Sequence, residues 1–495
     1  MHILTSYKTA VSIIILLILS GCTGKPGDNF TSSENLPSIE PDYSEIVIPP
    51  NIAPMNFIIK EKGESFFTRL YIDDEQRIDI RSGNGLIRIN AGKWKDLVSS
   101  KRGKDLKIDV FIKNNGVWNK FTTISNRIAN EPVDPYLTYR VIYPGYESWS
   151  ELSIKQRSLG SFKTSTIIKN SVADDNCVNC HAYNNGNSED FMFHMRGSLG
   201  GTYFYSGGKI KKRNLKTPEM KNGSVYPRWH PSGKYVAFSS NKIVQQFHSS
   251  ESKKIEVSDL ESSLVLYDLE KDQIIPVPVP GSSNNMDTYP EWSPDGRILY
   301  FCRAPQIAEV YDYRQIRYNL WKITFDTDSR QFGKAEMVYN ADSLKKSISF
   351  PRISPDGRSI IVTLSDYGCF PVWHKEADLY SIDVTTGKAT SLSVNSDFTD
   401  SYHSWSLNGR WIVFSSRRGD GLTTRPWLAY IDPQGIPGKP FILPQRNPDV
   451  YNTNLKSFNL PELSDTRIKM RPGIMRRISR QPAEQAEWSN SSELK

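Results

Sequence analysis

Tyr289-Pro290-Glu291-Trp292-Ser293-Pro294-Asp295-Gly296-Arg297 is followed at once by Ile298-Leu299-Tyr300-Phe301. Pro presets φ, Asp bonds the local backbone and Gly closes a tight turn. The phrase therefore reads as strand, turn, strand. It occurs again as Tyr226-Pro-Arg-Trp-His-Pro-Ser-Gly-Lys234 and as Phe350-Pro-Arg-Ile-Ser-Pro-Asp-Gly-Arg358. A degenerate copy is Tyr402-His-Ser-Trp-Ser-Leu-Asn-Gly-Arg410. The β runs Tyr235–Phe238, Ile360–Thr363 and Trp411–Phe414 follow these copies, and later strands such as Leu264–Leu269 and Asp378–Asp383 extend two of the units. The turn glycines stand at 233, 296, 357 and 409, spacings of 63, 61 and 52. A propeller blade needs about 40–50 residues, so the excess predicts loop insertions on one face.

Four copies in register over 224–443 resemble the TolB-type β-propeller, whose blades carry a W-S-P-D-G-like turn. The fourth copy departs from it, with Leu407-Asn408 in place of Pro-Asp. The resemblance implies a propeller over 201–463. Four blades make a poor ring, and strands around Gly201–Lys212 and Tyr451–Leu463 can supply a closing blade that removes exposed edges. Five blades are expected, with six as the alternative.

The rest of the mature chain also reads as mostly β. Asn56–Ile59, Phe67–Ile72 and Leu106–Ile112 have strand patterns, and Asn84-Gly85 and Asn115-Gly116 suit tight hairpins. A β-sandwich is expected over 51–165, with a helical turn or two from Trp149 to Leu159.

A short segment, 166–200, carries the chemistry. In Cys177-Val178-Asn179-Cys180-His181 two thiols three positions apart can each add to one haem vinyl group, and the next residue can ligate the iron. A thioredoxin-like dithiol would need a βαβ setting, and a zinc site a second ligand pair. Neither is evident. One covalent haem c on Cys177, Cys180 and His181 is the expectation. The iron's other ligand is expected to be His194, with Met195 or Met192 as alternatives. A propeller histidine (His230, His248, His374 or His403) and an open site are further ones. Arg196 is a candidate partner for a haem propionate. Cys302 and Cys369 follow the second strands of neighbouring repeats. They are expected as buried thiols, with a disulfide as the alternative.

Residues 1–22 hold Lys8, a short apolar run from Val11 to Leu19, and Leu19-Ser20-Gly21-Cys22. The run is short for a membrane span, and the last four residues resemble a bacterial lipobox. The resemblance implies lipidation of Cys22, and Thr23 after it favours an outer-membrane lipoprotein in the bacterial cell envelope, facing the periplasm or the surface. Residues 23–50 read as a flexible tether, and 464–495 as a basic, disordered tail. The formal net charge of +8 is mild for 495 residues, and no basic block supports nucleic-acid binding.

Taken together, the chain resembles bacterial lipoproteins that join one c-haem site to a TolB-like propeller. The resemblance implies haem binding on a membrane-anchored chain. Electron transfer or redox sensing is expected, with a redox partner docked on the propeller. The alternatives are a peroxidase-like haem enzyme, which needs a distal acid–base group, and a ligand-binding module in which haem is structural.

Overall fold

The computed structural model describes residues 25–73, 77–144, 151–249, 253, 255–470 and 472–489. The expected signal segment and Cys22 lie outside them. The protein is mostly β and of propeller type.

The N-terminal part pairs a seven-stranded sheet with a three-stranded one, Ile39–Glu40, Phe57–Ile59 and Leu86–Ile87. Asn115 and Gly116 both have positive φ and turn Asp105–Asn114 into Val117–Lys120, as Asn-Gly hairpins require. The helix Ala91–Ser99 starts where the Asn90 side chain accepts a bond from the Lys93 amide. It buries Trp94, Leu97 and Val98 against both sheets.

Six further sheets share one plan of four antiparallel strands. Their innermost strands are Cys177–Asn184, Ser224–Trp229, Asn285–Trp292, Ser347–Ile353, Asp400–Trp405 and Ser457–Ser464. The first five sheets take their strands in chain order. The sixth combines Ser457–Ser464 with Tyr136–Ile142, Leu152–Ser158 and Thr164–Lys169. Every innermost strand carries one residue in the left-handed region. These are Cys180, Tyr226, Tyr289, Phe350, Tyr402 and Leu460, with φ between 48° and 55°. The register with the second strand slips at each of them. Bulky residues rarely take this conformation, so six bulges at one position mark a shared architectural device.

The repeated turn behaves as its residues dictate. Ser293 Oγ donates to Asp295, which accepts from the Arg297 amide, and Gly296 takes φ 73°. Ser354, Asp356 and Arg358 repeat this, as do Ser406, Asn408 and Arg410. In the first copy His230 stands in for the serine, and its Nδ1 accepts from the Ser232 amide.

Several expected boundaries move. Tyr136–Ile142, Leu152–Ser158 and Thr164–Lys169 are three strands of the sixth sheet, and Leu152–Ser158 is a strand where a helical turn was expected. The 166–200 segment is no separate unit, because Cys177–Asn184 and Asn187–Arg196 are the first two strands of a sheet. The phrase is hidden there because Cys180-His181-Ala182-Tyr183 stands in place of Tyr-Pro-Arg-Trp. The expected tether over 23–50 is built in from its middle, since Tyr43, Ile46 and Ile48 are core residues. Much of the expected tail has regular structure. Pro472–Ser479 is helical, and Glu484–Gln485 and Glu487–Trp488 add parallel fifth strands to two sheets, covering their outer edges.

Trp411 joins the two parts of the molecule. It is fully buried, packs in the core shared with the N-terminal sheets, and its Nε1 donates to the Glu131 carbonyl at 3.1 Å. Trp411→Ala is expected to cost about 3–5 kcal/mol, the range for a large buried aromatic, read as a lowered midpoint in denaturant unfolding.

Candidate functional site

The six bulges set two layers of side chains at the centre of the sheets. The left-handed residues make an aromatic collar. Tyr226 and Tyr289 have ring centroids 4.4 Å apart, Tyr289 and Phe350 5.9 Å, and Phe350 and Tyr402 5.1 Å. Leu460 and Cys180 hold the remaining two positions, so the collar is incomplete on the side of the cysteines. Two residues further along, the same strands contribute Ala182, Arg228, Glu291, Arg352, Ser404 and Glu462. Arg228 pairs with Glu291 at 2.6 Å and with Glu462 at 3.7 Å, and Arg352 pairs with Glu291 at 3.3 Å. Charges this buried persist only when paired. Burial and the neighbouring Arg228 lower Arg352 to about 9, while burial pushes Glu462 up to about 7.

A cavity of about 240 Å³ opens beside the collar. Cys177, Cys180 and His181 form part of its wall, with Arg140, Arg196, Arg417, Tyr402 and His403 elsewhere on it. Ile243, Gln245 and Val257 also reach it. They belong to the long hairpin of Tyr235–Phe247 and Ile255–Asp268, the insertion that lengthens the first repeat.

Cys177 and Cys180 are free thiols, each 9% exposed. Burial raises the Cys177 thiol, and the charges of Arg140 and Arg196 oppose this. The side chain of His181 is 1% exposed. Among the described residues its ring nitrogens have no hydrogen-bond partner of good geometry; the Leu460 backbone acts on the ring as a weak acceptor, and the Glu462 carboxylate is 4.0 Å from Nε2. Burial, reinforced by the Arg140 charge, lowers His181 to about 3, so the ring is neutral with a free lone pair. Buried polar groups in proteins almost always find a partner, and the weak Leu460 contact leaves this ring under-satisfied. Two free thiols and an under-satisfied imidazole on one wall, beside a gap in an aromatic collar, fit a haem of the c type. Among the described residues, no group of three His, Cys, Asp or Glu side chains gathers around a bare ion.

The other candidates separate. His194 lies on the second strand, its Nδ1 3.2 Å from Thr202 Oγ1, and is absent from the cavity wall. Met195 is buried among Phe191, Phe193 and Tyr203, and Met192 in a different cluster with Ala182 and Phe204. The expectation of His194, Met195 or Met192 opposite His181 thus finds none of them on the cavity wall. The alternation of a strand sends their side chains to its two faces. Arg196 does reach the cavity. His230 serves its turn. His374 is held between Glu376 at 2.8 Å and Lys253 at 3.0 Å. His248 lines a separate surface pocket with Phe247 and Tyr313. Cys302 and Cys369 are buried and unbonded, with Cys369 Sγ 3.0 Å from Asp259. Arg140, Arg417 and the collar were not singled out from sequence. The collar had a signal, since its members precede Pro or His in the repeated phrase.

No protein-family model and no curated protein matches the sequence. Among solved structures, prolyl oligopeptidase B from Galerina marginata is similar over 80% of this chain and 54% of its own. The identity is 9% and the TM-score 0.33. A puromycin-hydrolyzing peptidase from Mycobacterium tuberculosis is similar over 81% of this chain and 57% of its own, at 10% identity and a TM-score of 0.33. A β-propeller domain from Myceliophteria thermophila is similar over 53% and 86%, at 12% identity and a TM-score of 0.30. The chain spans little more than half the length of either peptidase. The propeller assignment rests on the chain's own sheets and repeated phrase.

His403 and His181 both stand where four other strands place Pro. His403 differs in donating from Nε2 to the Ile361 carbonyl at 2.8 Å. Burial lowers it to about 3 from an ordinary 6.5. The unfolded chain therefore takes up a proton below pH 6.5 that the folded chain refuses. Stability is complete above that pH and is lost as pH falls toward 3. His403→Pro restores the residue of the other copies. It is expected to keep the fold and to lessen this acid loss, measured as unfolding midpoints between pH 6.5 and 3.5.

Proposed function

We propose that the chain is an exported c-type cytochrome on a six-bladed propeller, with one haem joined to Cys177 and Cys180 and ligated by His181. The observation that carries this reading is the buried, neutral His181, held only weakly by the Leu460 backbone and one residue past a free thiol on the cavity wall. Each cysteine S–H would add across one vinyl C=C to give a thioether, a step that needs no oxidant. The attached group supplies a one-electron couple at its iron. His181 offers its lone pair without first losing a proton. The collar of Tyr226, Tyr289, Phe350 and Tyr402 excludes water and offers apolar faces. The paired charges of Arg228, Glu291, Arg352 and Glu462 lie one layer deeper along the same strands.

In this reading a lipid on Cys22 tethers the protein to the outer membrane, and the protein exchanges electrons with, or senses the redox state through, a partner docked on the propeller. A second reading is small-ligand chemistry at an open iron position. It draws on His403, a further imidazole on the cavity wall, whose Nδ1 is buried and unpartnered.

Expression with a c-type maturation system tests the first reading. The expected product holds one haem per chain that survives acidified-acetone extraction, and Cys177→Ala/Cys180→Ala abolishes that covalent haem. His181→Ala retains thioether-bound haem but changes its reduced spectrum. Mature wild-type chain without covalent haem would end this reading. A high-spin spectrum with rapid peroxide turnover would move it to the second.

A further inference from the structure

Most arginines near the centre of the sheets have carboxylate partners. Arg228 and Arg352 share Glu291, Arg303 pairs with Asp287 at 3.1 Å, and Arg418 with Asp400 at 2.7 Å. Arg140, Arg196 and Arg417 form no ion pair among the described residues, although all three line the cavity. The Nε atoms of Arg140 and Arg417 are buried without an acceptor.

These three side chains come from equivalent places. Arg140 lies near the end of the second strand of one sheet, Arg196 ends the second strand of the next, and Arg417 directly follows that of the preceding sheet. They converge. The Arg140 charge acts on His181, Cys177 and Tyr402, the Arg196 charge on Cys177, and the Arg417 charge on Tyr402. Arg196 is the register partner of Cys177 across the strand pair. Arg417 lies over Trp373, its Cζ 5.0 Å from the ring centroid.

A guanidinium keeps its proton at neutral pH, so three like charges on one partly buried wall repel and stay under-solvated. Planar guanidinium groups match carboxylates with paired hydrogen bonds. The incomplete aromatic collar beside them suits a flat body. We propose that Arg140, Arg196 and Arg417 form a site for the two carboxylates of one dianion whose body lies against the collar. The dianion is either the propionate pair of a haem on Cys177 and Cys180, which rests on the reading above, or a free dicarboxylate, which does not.

The test uses the full chain carrying Cys177→Ala/Cys180→Ala, so that no ligand is covalently fixed. It is titrated with iron protoporphyrin IX, with the dimethyl ester of that porphyrin, and with glutarate, followed by tryptophan fluorescence. The free-acid porphyrin is expected to bind at least tenfold tighter than the diester. Adding Arg140→Gln/Arg417→Gln removes that preference, whereas Arg140→Lys, which keeps the charge, retains part of it. Equal binding of acid and diester overturns the site, as does a preference that persists without the arginines. Arginine-dependent binding of glutarate without porphyrin binding keeps the site and assigns it to a free dicarboxylate. Covalent haem in the wild type, with no discrimination between acid and diester, keeps the haem reading and overturns the site.

Discussion

The pairing of Tyr136–Ile142 with Ser457–Ser464 is the contact on which the centre of the molecule depends. It joins two stretches more than three hundred residues apart and brings the two ends of the repeat array together. Through it Leu460 comes to stand beside Cys180 in the collar, Glu462 approaches His181, and Arg140 enters the cavity. Without it the cysteine wall would lack a neighbour on one side. A non-local pairing of this kind carries a loop-closure cost that the contacts it makes must offset.

Four of the six innermost strands were readable from the phrase around Tyr226, Tyr289, Phe350 and Tyr402. The other two were hidden for different reasons. Leu460-Pro461-Glu462 keeps the Pro but lacks the aromatic and the turn, since its second strand comes from the far end of the chain. Cys180-His181-Ala182-Tyr183 keeps the conformation but replaces the residues that identify it. A sequence motif for chemistry and a sequence motif for folding occupy the same positions there, and the first obscured the second. The burial of Tyr43, Ile46 and Ile48 was concealed by the polar residues around them, and the order of the C-terminal segment by its basic composition. The position of His194 could not be read at all, since strand alternation fixes a face only once the register is known.

His181 and His403 show how one structural position yields two roles. Both follow a left-handed residue on an innermost strand, and both replace Pro. His403 closes its hydrogen bond on a carbonyl of the adjoining sheet and so behaves as a structural substitute. His181 makes only the weak contact with the Leu460 backbone. The difference lies in the neighbours, since the side chain at Tyr402 is large and aromatic while that at Cys180 is small and leaves space. The chemistry of the site thus depends on what is missing from the collar as much as on the motif itself.

The early burial of the N-terminal residues bears on geometry at a membrane. Phe30–Ser32 already pairs with Trp118–Lys120, and Lys439 binds Asp42 at 2.7 Å. Eight positions separate Cys22 from Phe30, a reach of at most about 28 Å for a fully extended chain. A lipid on Cys22 would hold the protein on a short leash. Its rotation relative to the bilayer would be confined, and only part of the propeller's perimeter could face an approaching macromolecule.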